Sequence, residues 1–271
     1  LVYNNIRFEF SDIDQASAFA TLFTGSNPCF SGIAGDKTFD FEKEKEVSIL
    51  NDPEYLGNYT KENYSPKNLF SSTIGDELKI ASQGRSDVYS IAPDAESAIL
   101  SAGHAANGAF WMDNTNGKWA TTTYYKGIPW YVDRYNNGPE SLASRLETMV
   151  WTPTLPMEKY NAFPYVLDDL PFRYTFSEKF ANCYPNLKTS PFINKEINRL
   201  ALQFLDTQLP GYVVYHVLRG QLPGYDEQGI HPGDSRYVLP TRSRYREATG
   251  YDRQESGLGQ YIGSLHRFRL L

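Results

Sequence analysis

The side chains best suited to chemistry are few and dispersed. The two cysteines, Cys29 and Cys183, stand far apart and match no metal or redox spacing, so two free thiols are expected ahead of a disulfide. Of four histidines only His104 precedes residue 209, within the turn Gly103-His104-Ala105. No GxGxxG, GxxxxGK or HExxH string occurs, so the common cofactor, phosphate-cradle and zinc-protease fingerprints are absent. Acids are plentiful: 32 Asp and Glu against 26 Lys and Arg give a net charge of −6, which argues against a nucleic-acid binder. No run of about 18 apolar residues exists to span a bilayer, and LVYNNIRFEF lacks the regions of a signal peptide.

The elements that must position such residues follow from periodicity. Val2 to Phe10 reads as a strand, and Ser11, Asp12 and Asp14 are N-cap candidates for a helix from Gln15 to Phe23. Thr24-Gly25-Ser26-Asn27-Pro28 breaks it. Leu69, Ile74, Leu78 and Ala81 give helical spacing. Asp87 to Ile91 is a short strand, with a helix or turn near Glu96 to Leu100. Phe110 to Met112 and Trp119 to Tyr125 predict a β-hairpin around Asp113-Asn114-Thr115-Asn116-Gly117. Residues 139–147 read as a short helix, 151–193 as Pro- and aromatic-rich with little periodicity, and Asn194 to Asp206 as an amphipathic helix through Ile197, Leu200, Leu202 and Leu205. With 41% apolar residues and 40 aromatic side chains, a packed core is expected. Strands alternating with helices, interrupted by a hairpin, predict an α/β layer fold.

Four longer strings occur in order: ATLFTGSNPCFSGIAGDK, SPKNLFSSTIGDELK, GHAANGAFWMD followed by GKWATTTYY, and LKTSPFINKEINRLAL. Together they resemble the bacterial alkaline phosphatase superfamily, on its type I phosphodiesterase and nucleotide pyrophosphatase-like branch. The resemblance implies a partial alkaline-phosphatase-like sheet with flanking helices and a hairpin insertion over residues 1–208. It also implies a site in which a threonine at a helix N-terminus attacks phosphorus while two zinc ions activate it. The nucleophile position, nine residues before Thr24-Gly25, falls on Gln15, a poor nucleophile and weak zinc ligand. The family's phosphate-contacting Asn falls on Asp36, and a Lys and Arg of phosphomonoesterase-like members fall on Asp94 and Glu96. Three donors have become carboxylates. At about 4 Å and an effective dielectric near 20, each would cost roughly 4 kcal/mol against a phosphate charge.

Plainer roles are also open. Gln15 reads first as a polar first-turn residue, and Asp36, Asp94 and Glu96 as solvated acids ahead of a residual cation site, since hard cations need several convergent oxygens. His104 is read as a structural turn residue ahead of a ligand. Phe110, Trp111, Trp119, Tyr124 and Tyr125 are read as hairpin packing ahead of a substrate platform. No metal or other cofactor is expected in this chain, although the family uses two zinc ions.

The composition breaks near residue 208. All 12 lysines lie at or before Lys195, and residues 209–271 carry 8 Arg, 6 acids and 9 of the 20 glycines. A basic, Gly-rich arm for an acidic partner is one explanation. A shifted reading frame is the preferred one: codons exist for which the frame displaced by one nucleotide contains IEKLLDTID and NTLVVFTG, a helix and an apolar strand that continue the family pattern. That text ends its last strand in GSGY where active members carry an Asp-His zinc pair. On this reading residues 209–271 form an irregular, poorly folded tail, and the chain begins after the family's first strand, whose aspartate is a further zinc ligand. The expected function is that of a fragment that has lost phosphoesterase activity, its parent a non-catalytic binding protein in the periplasm or otherwise exported. The alternative is a metal-dependent phosphoric or sulfate ester hydrolase with an altered nucleophile. Neither ligand, partner nor oligomeric state is specified.

Overall fold

A computed structural model describes residues 9–11, 13–41, 43–152, 174–179, 182–207 and 212–217. Its first helix, α1 (Gln15–Thr24), is started by Asp14, whose carboxylate accepts from the Ser17 amide at 2.7 Å while the Ser17 hydroxyl accepts from the Asp14 amide at 3.1 Å. This reciprocal pair satisfies two of the donors a helix start leaves free. Gly25, at φ 68°, ends the helix in the left-handed conformation that costs glycine least. A short helix α2 (Pro28–Ser31) and an exposed antiparallel hairpin of β1 (Lys37–Asp40) and β2 (Lys45–Ser48) follow. Next come β3 (Gly57–Asn58), α3 (Ile74–Ala81), β4 (Ser86–Ala92), α4 (Ala95–Ala102), β5 (Gly108–Met112) and β6 (Trp119–Thr122). The chain continues through α5 (Trp130–Asn137), α6 (Leu142–Leu146), β7 (Val150–Trp151), β8 (Tyr174–Thr175), α7 (Cys183–Lys188), α8 (Phe192–Thr207) and β9 (Tyr212–Val217).

The central sheet has the order β3-β6-β5-β4-β9. β4 runs parallel to β5 and β9, placing Ile91 level with Phe110 on one side and Val217 on the other, whereas β5, β6 and β3 pair antiparallel. Successive strand residues point to opposite faces, so β4 feeds two cores. Tyr89 and Ile91 join Phe110, Met112 and Trp119 beneath α5, α6, α7 and α8. Ala92, Ala109 and Trp111 pack with Ala16 and Ala20 of α1 and Ala98 and Ile99 of α4. A sheet buried on both faces between helix layers is the α/β architecture that the alternation of elements predicts.

Several expectations change in detail. Most of the Val2 to Phe10 strand lies outside the described residues, and Glu9 and Phe10 form bends. The helix expected from Leu69 starts at Ile74, because Thr73 caps it with Asp76 answering. Leu69 is buried ahead of it, whereas Ile74 and Ile80 are exposed, so the apolar spacing there is only partly a core face. Besides the short α2, two helices arise where none is expected. α5 buries Tyr131, Val132, Tyr135 and Asn136, and α7 buries Cys183, Tyr184 and Leu187. Both present one narrow apolar stripe in otherwise polar text. In α8 the core positions are Ile197, Leu200, Ala201 and Phe204, with Leu202 only half-buried. The irregular tail expected from residue 209 does not extend to Tyr212–Val217: these β-branched and aromatic residues pair with the open edge of β4. Residues 218–271 lie outside the described residues.

Candidate functional site

In a sheet with parallel strands, ligands favour the crevice outside the carboxyl ends, where helix N-termini point. Here that edge holds the four positions Gln15, Asp36, Asp94 and Glu96. Gln15 is the first residue of α1, and its carboxamide donates to the Ser97 hydroxyl at 2.6 Å. Ser97 lies in the first turn of α4, where its amide donates to the Asp94 carboxylate, the N-cap, at 2.9 Å. Glu96 occupies the same turn. Asp36 joins from the other side: its amide donates to Asp14 at 2.6 Å, while its own side chain is exposed. One hydrogen-bonded path therefore runs from Asp36 through Asp14 and α1 to Gln15, Ser97 and Asp94.

Small residues make this approach possible. Ala16 and Ala20 of α1 and Ala95, Ala98 and Ala102 of α4 are all buried, most of them completely, so the two helices come close enough for Gln15 to reach Ser97. The N-termini of both helices then carry the chain's own carboxylates, Asp14 on one and Asp94 and Glu96 on the other. A helix N-terminus stabilises negative charge whatever its source, and part of that attraction is met from within, by Asp14 at the Ser17 amide and by Asp94 at the Ser97 amide.

Four residues that sequence reasoning did not single out complete the corner: Glu62 and Tyr64 from the loop after β3, Asp113 at the end of β5, and Lys188 at the end of α7. Burial, then the carboxylates of Asp94 and Glu62, hold the Glu96 carboxyl above its ordinary range, with its own amide and Lys188 in partial opposition. Burial and then Asp113 raise Glu62 likewise. Tyr64 is raised by burial, Glu62 and Glu96. Burial also pushes Asp113 upward, but the Thr115 hydroxyl at 2.5 Å and the amides of Thr115 and Asn116 at 2.8 and 3.0 Å hold it below the usual value, as an anion. Lys188 is lowered by burial, against the pull of Asp94, Glu62, Asp113 and Glu96. Asp113 directly follows a parallel strand and was within reach of the strand-end rule, whereas Lys188 ends a helix and was not. Glu62 and Tyr64 sit in aperiodic polar text and gave no such signal.

The remaining candidates are structural. His104 bonds the Leu69 carbonyl through Nε2 at 2.7 Å and the Tyr124 hydroxyl through Nδ1 at 3.3 Å, and the Tyr125 hydroxyl donates to the Gly103 carbonyl. Phe110, Trp111 and Trp119 are fully buried in the two cores. Cys29 and Cys183 are free thiols, one exposed and one buried. Two zinc ions are implied by the resemblance, but among the described residues no three His, Cys, Asp or Glu side chains converge to hold a metal ion. Gln15 offers zinc only a weak carboxamide, engaged with Ser97, so the donor set described here does not fit that group. No described helix is long and apolar enough to cross a membrane.

No profile of a known protein family matches the chain. It is 35% identical over 162 residues to alkaline phosphatase PafA of Elizabethkingia meningoseptica, covering 58% of this chain and 29% of that protein. It is 31% identical over 190 residues to alkaline phosphatase PhoV of Synechococcus elongatus, covering 69% and 34%. A calcium-transporting ATPase of Myroides odoratus is 36% identical over 149 residues, covering 54% and 27%. The crystal structure of wild-type PafA superposes with a TM-score of 0.72 at 25% identity, covering 91% of this chain and 50% of that one. A PafA variant with a threonine, an asparagine, a lysine and an arginine replaced gives 0.62 at 27% identity, covering 83% and 44%. The chain thus spans about a third of the length of these curated relatives. Sequence and fold together relate this chain to the alkaline phosphatase superfamily.

Proposed function

We propose that the chain keeps the alkaline phosphatase architecture without phosphoester hydrolysis and derives from a non-catalytic binding protein. The observation that carries this reading is the Gln15–Ser97 hydrogen bond at 2.6 Å, beside the Asp94 cap. The residue at the nucleophile position is a carboxamide spent on the neighbouring helix, and the turn it touches presents carboxylates. A phosphoryl group entering there meets like charge at Asp94 and Glu96 and finds a carboxamide, not a hydroxyl, at the nucleophile position. The narrower placement on the phosphodiesterase branch, and export of the parent protein to the periplasm or beyond, belong to the same proposal. They rest on the family resemblance.

The test is zinc content together with p-nitrophenol release from p-nitrophenyl phosphate and its diester, using the 271-residue chain. Neither stoichiometric zinc nor turnover above buffer is expected. Zinc-dependent turnover abolished by Gln15→Ala would overturn the proposal in favour of an ester hydrolase with an altered nucleophile. The out-of-frame reading of residues 209–271 is tested separately by the coding DNA around codons 200 to 215. A frame using codons incompatible with the displaced text would sink it.

A further inference from the structure

We propose that Ser97 is a two-position acceptor: its hydroxyl serves either the Gln15 carboxamide or the Asp94 amide, so the Gln15 side chain controls whether the start of α4 is fully capped. The inference deepens the proposed function, since it rests on the same Gln15–Ser97 bond, but not on the lack of turnover.

The molecule contains its own reference. α1 and α4 open with the same pattern, Asp-x-x-Ser, from Asp14 to Ser17 and from Asp94 to Ser97. In both, the Asp carboxylate accepts from the Ser amide, at 2.7 and 2.9 Å. In α1 the serine answers: its hydroxyl accepts from the Asp14 amide at 3.1 Å and donates to the Asp14 carbonyl at 3.3 Å. In α4 neither return bond is present among the described residues, and the Ser97 hydroxyl accepts from Gln15 Nε2 at 2.6 Å instead. Both N-caps have extended backbone, Asp14 at φ −112° and ψ −177°, Asp94 at φ −130° and ψ 163°. The difference therefore lies in the direction of the serine side chain and not in the course of the chain.

One torsion separates the two positions. Ser97 is 1% exposed, so its oxygen needs a protein partner whichever way it points. Its backbone is pinned: the Ser101 hydroxyl donates to the Ser97 carbonyl at 2.6 Å and meets the Ser90 hydroxyl of β4 at 2.7 Å. What remains is rotation about χ1 between staggered wells. Turning exchanges one neutral hydrogen bond for another, each of modest net worth, so loss of the Gln15 donor is enough to send the hydroxyl back to the Asp94 amide. The two helix starts are thereby linked: a group that engages the Gln15 carboxamide lets Ser97 close the α4 cap.

Amide hydrogen exchange on the 271-residue chain, read by NMR, tests this. In the wild type the Asp14 amide should be slowed severalfold below its intrinsic rate, and the Asp94 amide should not. Gln15→Met, which keeps the length of the side chain and removes the donor, should slow the Asp94 amide roughly fivefold and leave the Asp14 amide unchanged. Adding Ser97→Ala should return Asp94 to its wild-type rate, a reversal that general tightening of the fold does not give. Ser17→Ala should speed exchange at Asp14 alone. A wild-type Asp94 amide as protected as that of Asp14 overturns the proposal without any variant. So does unchanged Asp94 exchange in Gln15→Met, or slowing that survives Ser97→Ala. Should Gln15→Met not fold, Gln15→Ala and the wild-type comparison decide. Because the readout is exchange, p-nitrophenol release by the same chain would contradict the proposed function while leaving these rates standing.

Discussion

The two faces of the sheet are built from different material. The α5–α8 face is filled by large rings: Phe204 meets Tyr89, Phe110 and Tyr131 at centroid distances of 4.8, 5.1 and 4.9 Å. There the buried Glu196, 1% exposed, is fully answered: it accepts from both Arg145 guanidinium nitrogens at 2.7 Å and from the Tyr135 hydroxyl at 2.9 Å. The α1–α4 face mixes alanines, which line the α1–α4 contact, with Trp111, Ile33, Leu50 and Leu69, and polar groups gather at its helix N-termini. One face places its burial in bulk and closed pairing. The other sets small residues between two helix starts so that they can lie side by side, and burial holds its Glu62 and Glu96 carboxyls above their ordinary range. Closed pairing marks the structural half, and imperfectly compensated charge marks the half where a site belongs.

That contrast sets an order of mutational cost. Phe204→Ala removes a completely buried ring from the aromatic face and should cost about 3–5 kcal/mol in chemical denaturation. Glu196→Ala strands the Arg145 guanidinium and should cost about 3–5 kcal/mol, at the lower end because Arg145 retains some solvent contact. Ala98→Leu overfills the α1–α4 face and should cost about 1–3 kcal/mol. It should also separate Gln15 from Ser97, seen as a shift of the Gln15 side-chain amide resonances. Asp94→Ala removes the α4 cap and should cost about 1 kcal/mol, measured by the same denaturation. If Ala98→Leu proves costlier than Phe204→Ala, the division of labour between the faces is wrong.

How much of this was legible in the sequence depends on the kind of signal. Strand β4, helix α4 and the β5–β6 hairpin were readable because β-branched and aromatic runs alternate with Asn, Asp and Gly turns. The start of α1 was readable from Asp14 and the following apolar text. Leu69 misled because its burial comes from the loop ahead of α3, a tertiary contact that mimics helical spacing. The helices α5 and α7 were missed because each shows a single apolar stripe within polar or Pro-rich sequence. At the site, family-like strings singled out Gln15, Asp36, Asp94 and Glu96; the structure puts Gln15, Asp94 and Glu96 at helix starts and Asp36 in a bend whose amide bonds Asp14. Lys188 and Glu62 reach the same corner only through long-range packing, which no local pattern records.

The central claim is that carboxylates of the chain occupy the anion position of the site. Titration of the 271-residue chain with orthophosphate, followed by calorimetry, tests it most directly. The account predicts no saturable heat for the wild type and a saturable isotherm once Glu96→Arg restores a cation at the start of α4. Saturable phosphate binding by the wild-type chain that Glu96→Arg does not strengthen would contradict it.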